Sequence, residues 1–105
     1  MDFILERDTN PIYFKPIHVG EGVHVSIQAS QYHYCSPRIT HNDSSLYQHF
    51  EVALLLNGEW FHPNLHPKFK NLSWAQYWHD NDIVNDMPRH MVAQMLQDLS
   101  AKFGN

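Results

Sequence analysis

One cysteine, Cys35, stands among 105 residues. That excludes an intramolecular disulfide and every zinc site built on several thiolates, and it suits a reducing cytosol. Glycine is scarce, with four in the chain, and neither a Gly-x-Gly-x-x-Gly nor a Gly-x-x-x-x-Gly-Lys loop is present to cradle a phosphate. Ser36, Ser44 and Ser45 lack a Gly-x-Ser-x-Gly context, so no nucleophile elbow is present. Basic residues are also few. Seven Lys and Arg against eleven Asp and Glu leave a formal charge of −4, and no basic cluster exists to neutralise successive phosphates, so sequence-independent nucleic-acid binding is not expected. No apolar run approaches the roughly 18 residues of a membrane span, and the opening segment Met1 to Arg7 lacks a basic-then-apolar signal. The expectation is a soluble, cytoplasmic protein without membrane contact. A chain of this length buries roughly two thirds of its unfolded surface, which allows one compact domain over residues 1–105 but not a deep two-lobed active site.

Local patterns then assign elements. Phe3-Ile4-Leu5 and Ile12-Tyr13-Phe14 flank the turn-forming Asp8-Thr9-Asn10-Pro11 and read as short edge strands. After Gly20-Glu21-Gly22, the residues Val23, Val25, Ile27 and Ala29 alternate strictly with His24, Ser26, Gln28 and Ser30, which predicts a strand with one apolar face. Gln31 to Leu46 has no period and reads as a long surface loop. Loops of about fifteen residues are uncommon in compact domains unless functional, and this one holds two tyrosines, two histidines and an arginine. Tyr47 to Leu56 is a strand with Phe50, Val52, Leu54 and Leu56 on one face. Asn57-Gly58 is the preferred type I′ pair, and Glu59 to His62 returns as its partner. Ser73 stands where an N-cap would, before a short helix over Trp74 to His79. Pro88 opens an amphipathic helix with Met91, Val92, Met95, Leu96, Leu99 and Phe103 on one stripe, and Gly104 stops it. The predicted fold is α+β: a small antiparallel sheet of three to five strands, a C-terminal amphipathic helix packed on one face and a short second helix. An edge strand at the N-terminus or at Tyr47 to Leu56 offers a route to a homodimer.

Nine histidines raise the question of a metal. The best spacing is His62 with His66, with His41, His49 or His79 and the carboxylates Asp80 or Asp82 as further ligands, and a small metal-dependent enzyme built on His62, His66 and Asp80 is one reading. Pro63 and Pro67 remove the helical geometry that would give His-x-x-x-His its meaning, so dispersed histidines are favoured over a centre, and no cofactor is implied. A catalytic thiol would pair Cys35 with His33 or His41. No helix opens at Cys35 to depress its pKa, which favours a half-buried structural cysteine. The aromatics divide between core and surface. Trp60 with either Trp74 or Trp78 is expected to complete the core, while Tyr32, Tyr34 and Tyr77 have the better claim to exposure, and exposed tyrosines are typical interface anchors. Asp80, Asp82 and Asp86 form a local negative patch for a basic partner surface, or else a solvated loop with Asp86 capping the last helix. Arg38 beside Pro37 could hold an anion, and with Tyr32 or Tyr34 it would suit a nucleotide-like ligand.

The order Val25-Ser26-Ile27-Gln28-Ala29-Ser30, His33-Tyr34-Cys35-Ser36-Pro37-Arg38, Phe50-Glu51-Val52-Ala53-Leu54, Asn57-Gly58-Glu59-Trp60 and Met87-Pro88-Arg89 resembles small accessory proteins of phages and prophages over residues 23–99. The resemblance implies a setting rather than a site. In that setting small acidic proteins bind and block host proteins, anti-CRISPR and other anti-defence inhibitors among them. The leading expectation is a non-enzymatic inhibitor that occludes a bacterial defence component in the host cytoplasm through Tyr32, His33, Tyr34, Arg38, Tyr77, Asp80 and Asp82. The alternative is a binder that sequesters a nucleotide immune signal.

Overall fold

Alternating apolar residues need a second layer to bury them, and the computed structural model, which describes residues 3–104, supplies one. Met1, Asp2 and Asn105 lie outside the described residues, and so does the start of the Met1 to Arg7 segment. Five antiparallel strands form one sheet: β1 Ile17–Gly20, β2 Val23–Gln28, β3 His49–Leu56, β4 Glu59–Phe61 and β5 Ile83–Pro88. A C-terminal helix, α1, spans Arg89–Phe103, and short 3₁₀ turns lie at Ser44–Leu46, Pro63–Leu65 and Ser73–Tyr77. This is the expected α+β class. No helix of the described residues is long and apolar enough to cross a membrane.

Strand β3 is the centre of the sheet. β2 pairs along one side of it, from Val23 opposite Leu56 to Gln28 opposite Glu51. Its other side is shared by β4, at Leu54 to Leu56, and β5, at His49 to Ala53. β3 therefore has no free edge to offer a second copy, and the expectation of a dimer through Tyr47 to Leu56 is corrected. The expected N-terminal strands are also absent. Residues 3–16 contain a single isolated bridge, Arg7 with Phe14, because a side chain takes the place of a ladder there. The buried Gln28 amide accepts from Phe14 N at 2.7 Å and donates to Phe14 O at 2.9 Å, satisfying both backbone groups of Phe14 without a neighbouring strand.

The core lies between the sheet and α1. Val23, Val25 and Ile27 of β2, Phe50, Val52 and Leu54 of β3, Val84 and Met87 of β5, and Val92, Met95 and Leu99 of α1 are all buried in one cluster. The helix stripe is as the period predicts, with Met91 and Leu96 partly buried at its margin. Both Trp74 and Trp78 belong to the core, whereas Trp60 is 53% exposed, so the expectation that Trp60 completes the core is overturned. Leu72 rather than Ser73 precedes the 3₁₀ turn at Ser73–Tyr77, and no side chain caps it. The segment before α1 is strand β5 rather than loop. Asp86 does not cap the helix; it sits at positive φ within β5.

Two glycines are needed because a side chain would collide with a backbone carbonyl. Gly20 has φ +151°, and a Cβ there would lie 2.0 Å from the Phe103 carbonyl oxygen, so it lets the end of β1 meet the end of α1. Gly104 ends the helix as expected, but at φ −69°. Its Cβ would lie 2.3 Å from Ser100 O, so close approach selects glycine here, not a left-handed backbone.

Candidate functional site

The sheet has a second face, turned away from the core. Cross-strand register places His18 opposite His24, His24 opposite Leu55, and Leu55 opposite Trp60 in one row. The next row runs from Ser26 to Ala53 to Ile83, and the third pairs Gln28 with Glu51. The His18 and His24 rings stack with centroids 4.5 Å apart. The type I′ turn at Asn57-Gly58, both residues at positive φ, sets Leu56 against Glu59. Trp60 is therefore turned to the same side as Leu55, opposite to Leu54 and Leu56.

The long loop crosses the end of this face and is firmly held. Ser36 bridges His49, with Gln48 N donating to Ser36 O at 2.7 Å and Ser36 N to His49 O at 3.2 Å. Tyr34 N donates to Glu51 Oε2 at 3.0 Å, and Tyr34 O accepts from Asp86 N at 3.0 Å. These bonds fix the Tyr34 backbone against β3 and β5. Its ring is 53% exposed, and the Arg38 guanidinium lies over it at 4.9 Å. The Ser36–Pro37 peptide is cis.

Between this loop and the sheet opens a cleft of about 450 Å³. Tyr34 and Trp60 form aromatic walls, Glu51 and Asp82 contribute carboxylates, and Asn81, Ile83 and Asn85 complete it. Its Asp82 side is fixed from below, because the buried Trp78 donates Nε1–H to Asp82 O at 3.0 Å. A smaller hollow adjoins it, with Tyr77, His79 and Asp80 on its far side. The structure thus brings together two features that are separate in sequence, the Tyr34 loop and the Asp82 patch. Arg38 is exposed over the Tyr34 ring and Tyr32 is exposed in the same loop but does not line the cleft, while Tyr77 is half-buried and Asp80 exposed in the adjoining hollow.

His33 departs from expectation. Its ring is buried, pairs through Nδ1 with Ser30 Oγ at 2.7 Å and packs edge-on against Tyr13. It cannot present itself to a partner; it holds the loop. Burial moves its pKa below the ordinary 6.5, against the pull of Glu51 and with a small contribution from Arg7. Cys35 is buried too, with Sγ near Ser30 O at 3.2 Å and Pro37 O at 3.4 Å. Burial raises its pKa above the ordinary 9.0, ahead of the opposing Ser30 hydrogen bond and Arg38. A thiol kept protonated in this way is a poor nucleophile.

These two groups predict how stability varies with pH. For His33 the folded state resists the proton, so its contribution is complete above pH 6.5 and declines as pH falls below 6.5, where the unfolded chain takes the proton first. For Cys35 the folded state retains the proton, and its contribution declines as pH rises past 9.0. Urea denaturation of His33→Gln should lack the acidic part of this decline, and Cys35→Ala the alkaline part. Slopes identical to the parent would refute both assignments.

The metal-ligand set does not assemble. His62 accepts from Asn64 N at its Nδ1 and meets His79 O at its Nε2, while His66 Nδ1 accepts from Lys68 N. His62, His66 and Asp80 are not brought together, and no group of three His, Cys, Asp or Glu side chains suited to a metal ion occurs among the described residues.

No protein family, curated protein or solved structure matches the chain. The site's meaning rests on its own residues. Five of its lining residues, Glu51, Trp60, Asn81, Ile83 and Asn85, are not candidates from the sequence alone. A signal for Trp60 did exist, since a two-residue turn makes Leu55 its partner. None existed for Ile83 and Asn85, because β5 lacks a clean alternation.

Proposed function

We propose that this protein is a non-enzymatic binding protein that grips a protein partner with the outward face of its sheet. The observation that supports the reading is the exposure of Trp60, Tyr34 and Ile83 around one open cleft, at 53%, 53% and 46%. Tryptophan and tyrosine standing proud on a rigid sheet are the usual anchors of interface hot spots, and a hydrogen-bonded loop loses little entropy on binding. The resemblance to phage accessory proteins makes the partner a bacterial defence component, such as a CRISPR complex, blocked by occlusion in the cytoplasm. Sequestration of a nucleotide signal fits the site less well. Arg38 is already stacked on Tyr34, and a phosphate entering the cleft would meet the carboxylates of Glu51 and Asp82.

The test is phage plating on bacteria carrying defined defence systems, with and without the protein. A Trp60→Ala, Tyr34→Ala double variant that keeps the parent's unfolding midpoint should lose protection and bind the isolated defence component at least about 30-fold more weakly, the size of a hot-spot loss. Protection by the variant equal to that of the parent, or no protection by the parent under any defence, would sink the proposal.

A further inference from the structure

The chemistry of the cleft points to one kind of occupant, and we infer that it receives an arginine side chain of the partner. The inference rests on the proposed binding function and specifies what the central contact is. Glu51 and Asp82 stand at the cleft without a cation of their own. The ion pair among the described residues is Lys15 with Glu6, and the lining contains no lysine, arginine or histidine. Glu51 Oε2 accepts only the neutral Tyr34 N–H. The guanidinium of Arg38 lies over Tyr34, and no cation of the described residues covers Trp60.

Two uncompensated carboxylates beside an uncovered indole favour a cation. The negative face of the ring attracts positive charge, most strongly in tryptophan. A guanidinium suits the site better than an ammonium. It is planar and weakly hydrated, so it can lie flat on Trp60 while its edge donates to carboxylate and amide oxygens of Asp82, Asn81 and Asn85. Arg38 on Tyr34 repeats that stacking within the molecule. The cleft of about 450 Å³ is in the range of built ligand sites, with room for an extended side chain and the backbone that carries it. The surplus of acid over base in the whole chain adds a field of the same sign.

Trp60 supplies its own reporter, because Trp74 and Trp78 are buried. Titrating the full-length protein with acetyl-glycyl-arginyl-glycinamide should change the exposed tryptophan emission saturably. The same peptide with citrulline, which keeps the shape and loses the charge, should not. The Glu51→Gln, Asp82→Asn double variant keeps an acceptor for Tyr34 N–H and should bind the arginine peptide about tenfold more weakly, as expected for loss of charge-assisted bonds. An equal response to both peptides, or no saturable response to arginine, would overturn the inference. Capture of the defence component separates this from the wider proposal. If capture depends on Trp60 and Tyr34 but is unaffected by the Glu51 and Asp82 changes, the arginine contact is wrong and the binding face stands.

Discussion

Replacing Trp74 by alanine is expected to lower the unfolding free energy by about 3–5 kcal/mol. The indole is fully buried, packs edge-on against Trp78 at 5.9 Å and lies 6.4 Å from Phe69. Its Nε1–H donates to Asp98 Oδ2 of α1 at 3.0 Å. Truncation therefore removes a large apolar volume and a bond that fastens the helix to the 3₁₀ turn beneath it. Domains of this size are stable by about 5–15 kcal/mol, so the loss is a large share of the whole. With a urea slope of about 1–3 kcal/mol/M, the midpoint should fall by roughly 2 M. Trp74→Phe retains most of the volume, and its cost should be less than half as great because Asp98, only half-buried, can turn to water. Equal effects of the two changes, or a loss below about 1 kcal/mol for alanine, would show that the contact carries little.

Tyr47→Phe should cost about 2–3 kcal/mol although it removes one oxygen. That hydroxyl gathers the far half of the loop. It accepts from His41 N at 2.8 Å and from Arg7 Nη2 at 3.1 Å, and donates to Ile39 O at 2.6 Å, while the ring is completely buried against Phe14 and Phe50. Phenylalanine fills the same space and takes that partner from His41 N and Ile39 O, while Arg7 Nη2 keeps His41 O at 2.6 Å. The measurable signature is regional. Amide exchange at His41 should accelerate far more than at Ser36, whose bonds to His49 do not involve the hydroxyl. Uniform acceleration across the loop would mean that Tyr47 supports the fold at large. The Trp60 face should keep its binding, because Tyr34 is anchored separately to Glu51 and Asp86.

The elements legible in the sequence share a physical basis. Val23 to Ala29 alternates, Asn57-Gly58 requires positive φ at two successive residues, and Met91 to Phe103 repeats with the helical period; each signal is local and leaves few alternative conformations. The elements that were not legible depend on partners distant in the chain. β5 has Asn85 and Asp86 where a strand would alternate, and it forms because the free side of β3 accepts it. The N-terminal apolar triplets have strand composition, yet Gln28 satisfies Phe14 with an amide and leaves no ladder to extend. Trp60 looks like a core residue by size. The hairpin register sends it outward, since Phe61 and Glu59 take the places opposite the core-facing Leu54 and Leu56.

The candidate site divides in the same way. Tyr32, Tyr34, Arg38 and the aspartates stand out in sequence because a long loop rich in aromatics and a cluster of carboxylates are unusual in a small domain. Sequence by itself determined that any site would lack a thiolate cluster and a glycine-rich phosphate loop. Only the tertiary structure decided that Tyr34 and Asp82 share one cleft with Glu51 and Trp60, that His33 is a buried brace and that His62, His66 and Asp80 do not combine into a metal-holding group. Which residue types are present depends on the chain alone. Which of them meet depends on how β3 shares its second side between β4 and β5, a matter of long-range pairing that no local window contains.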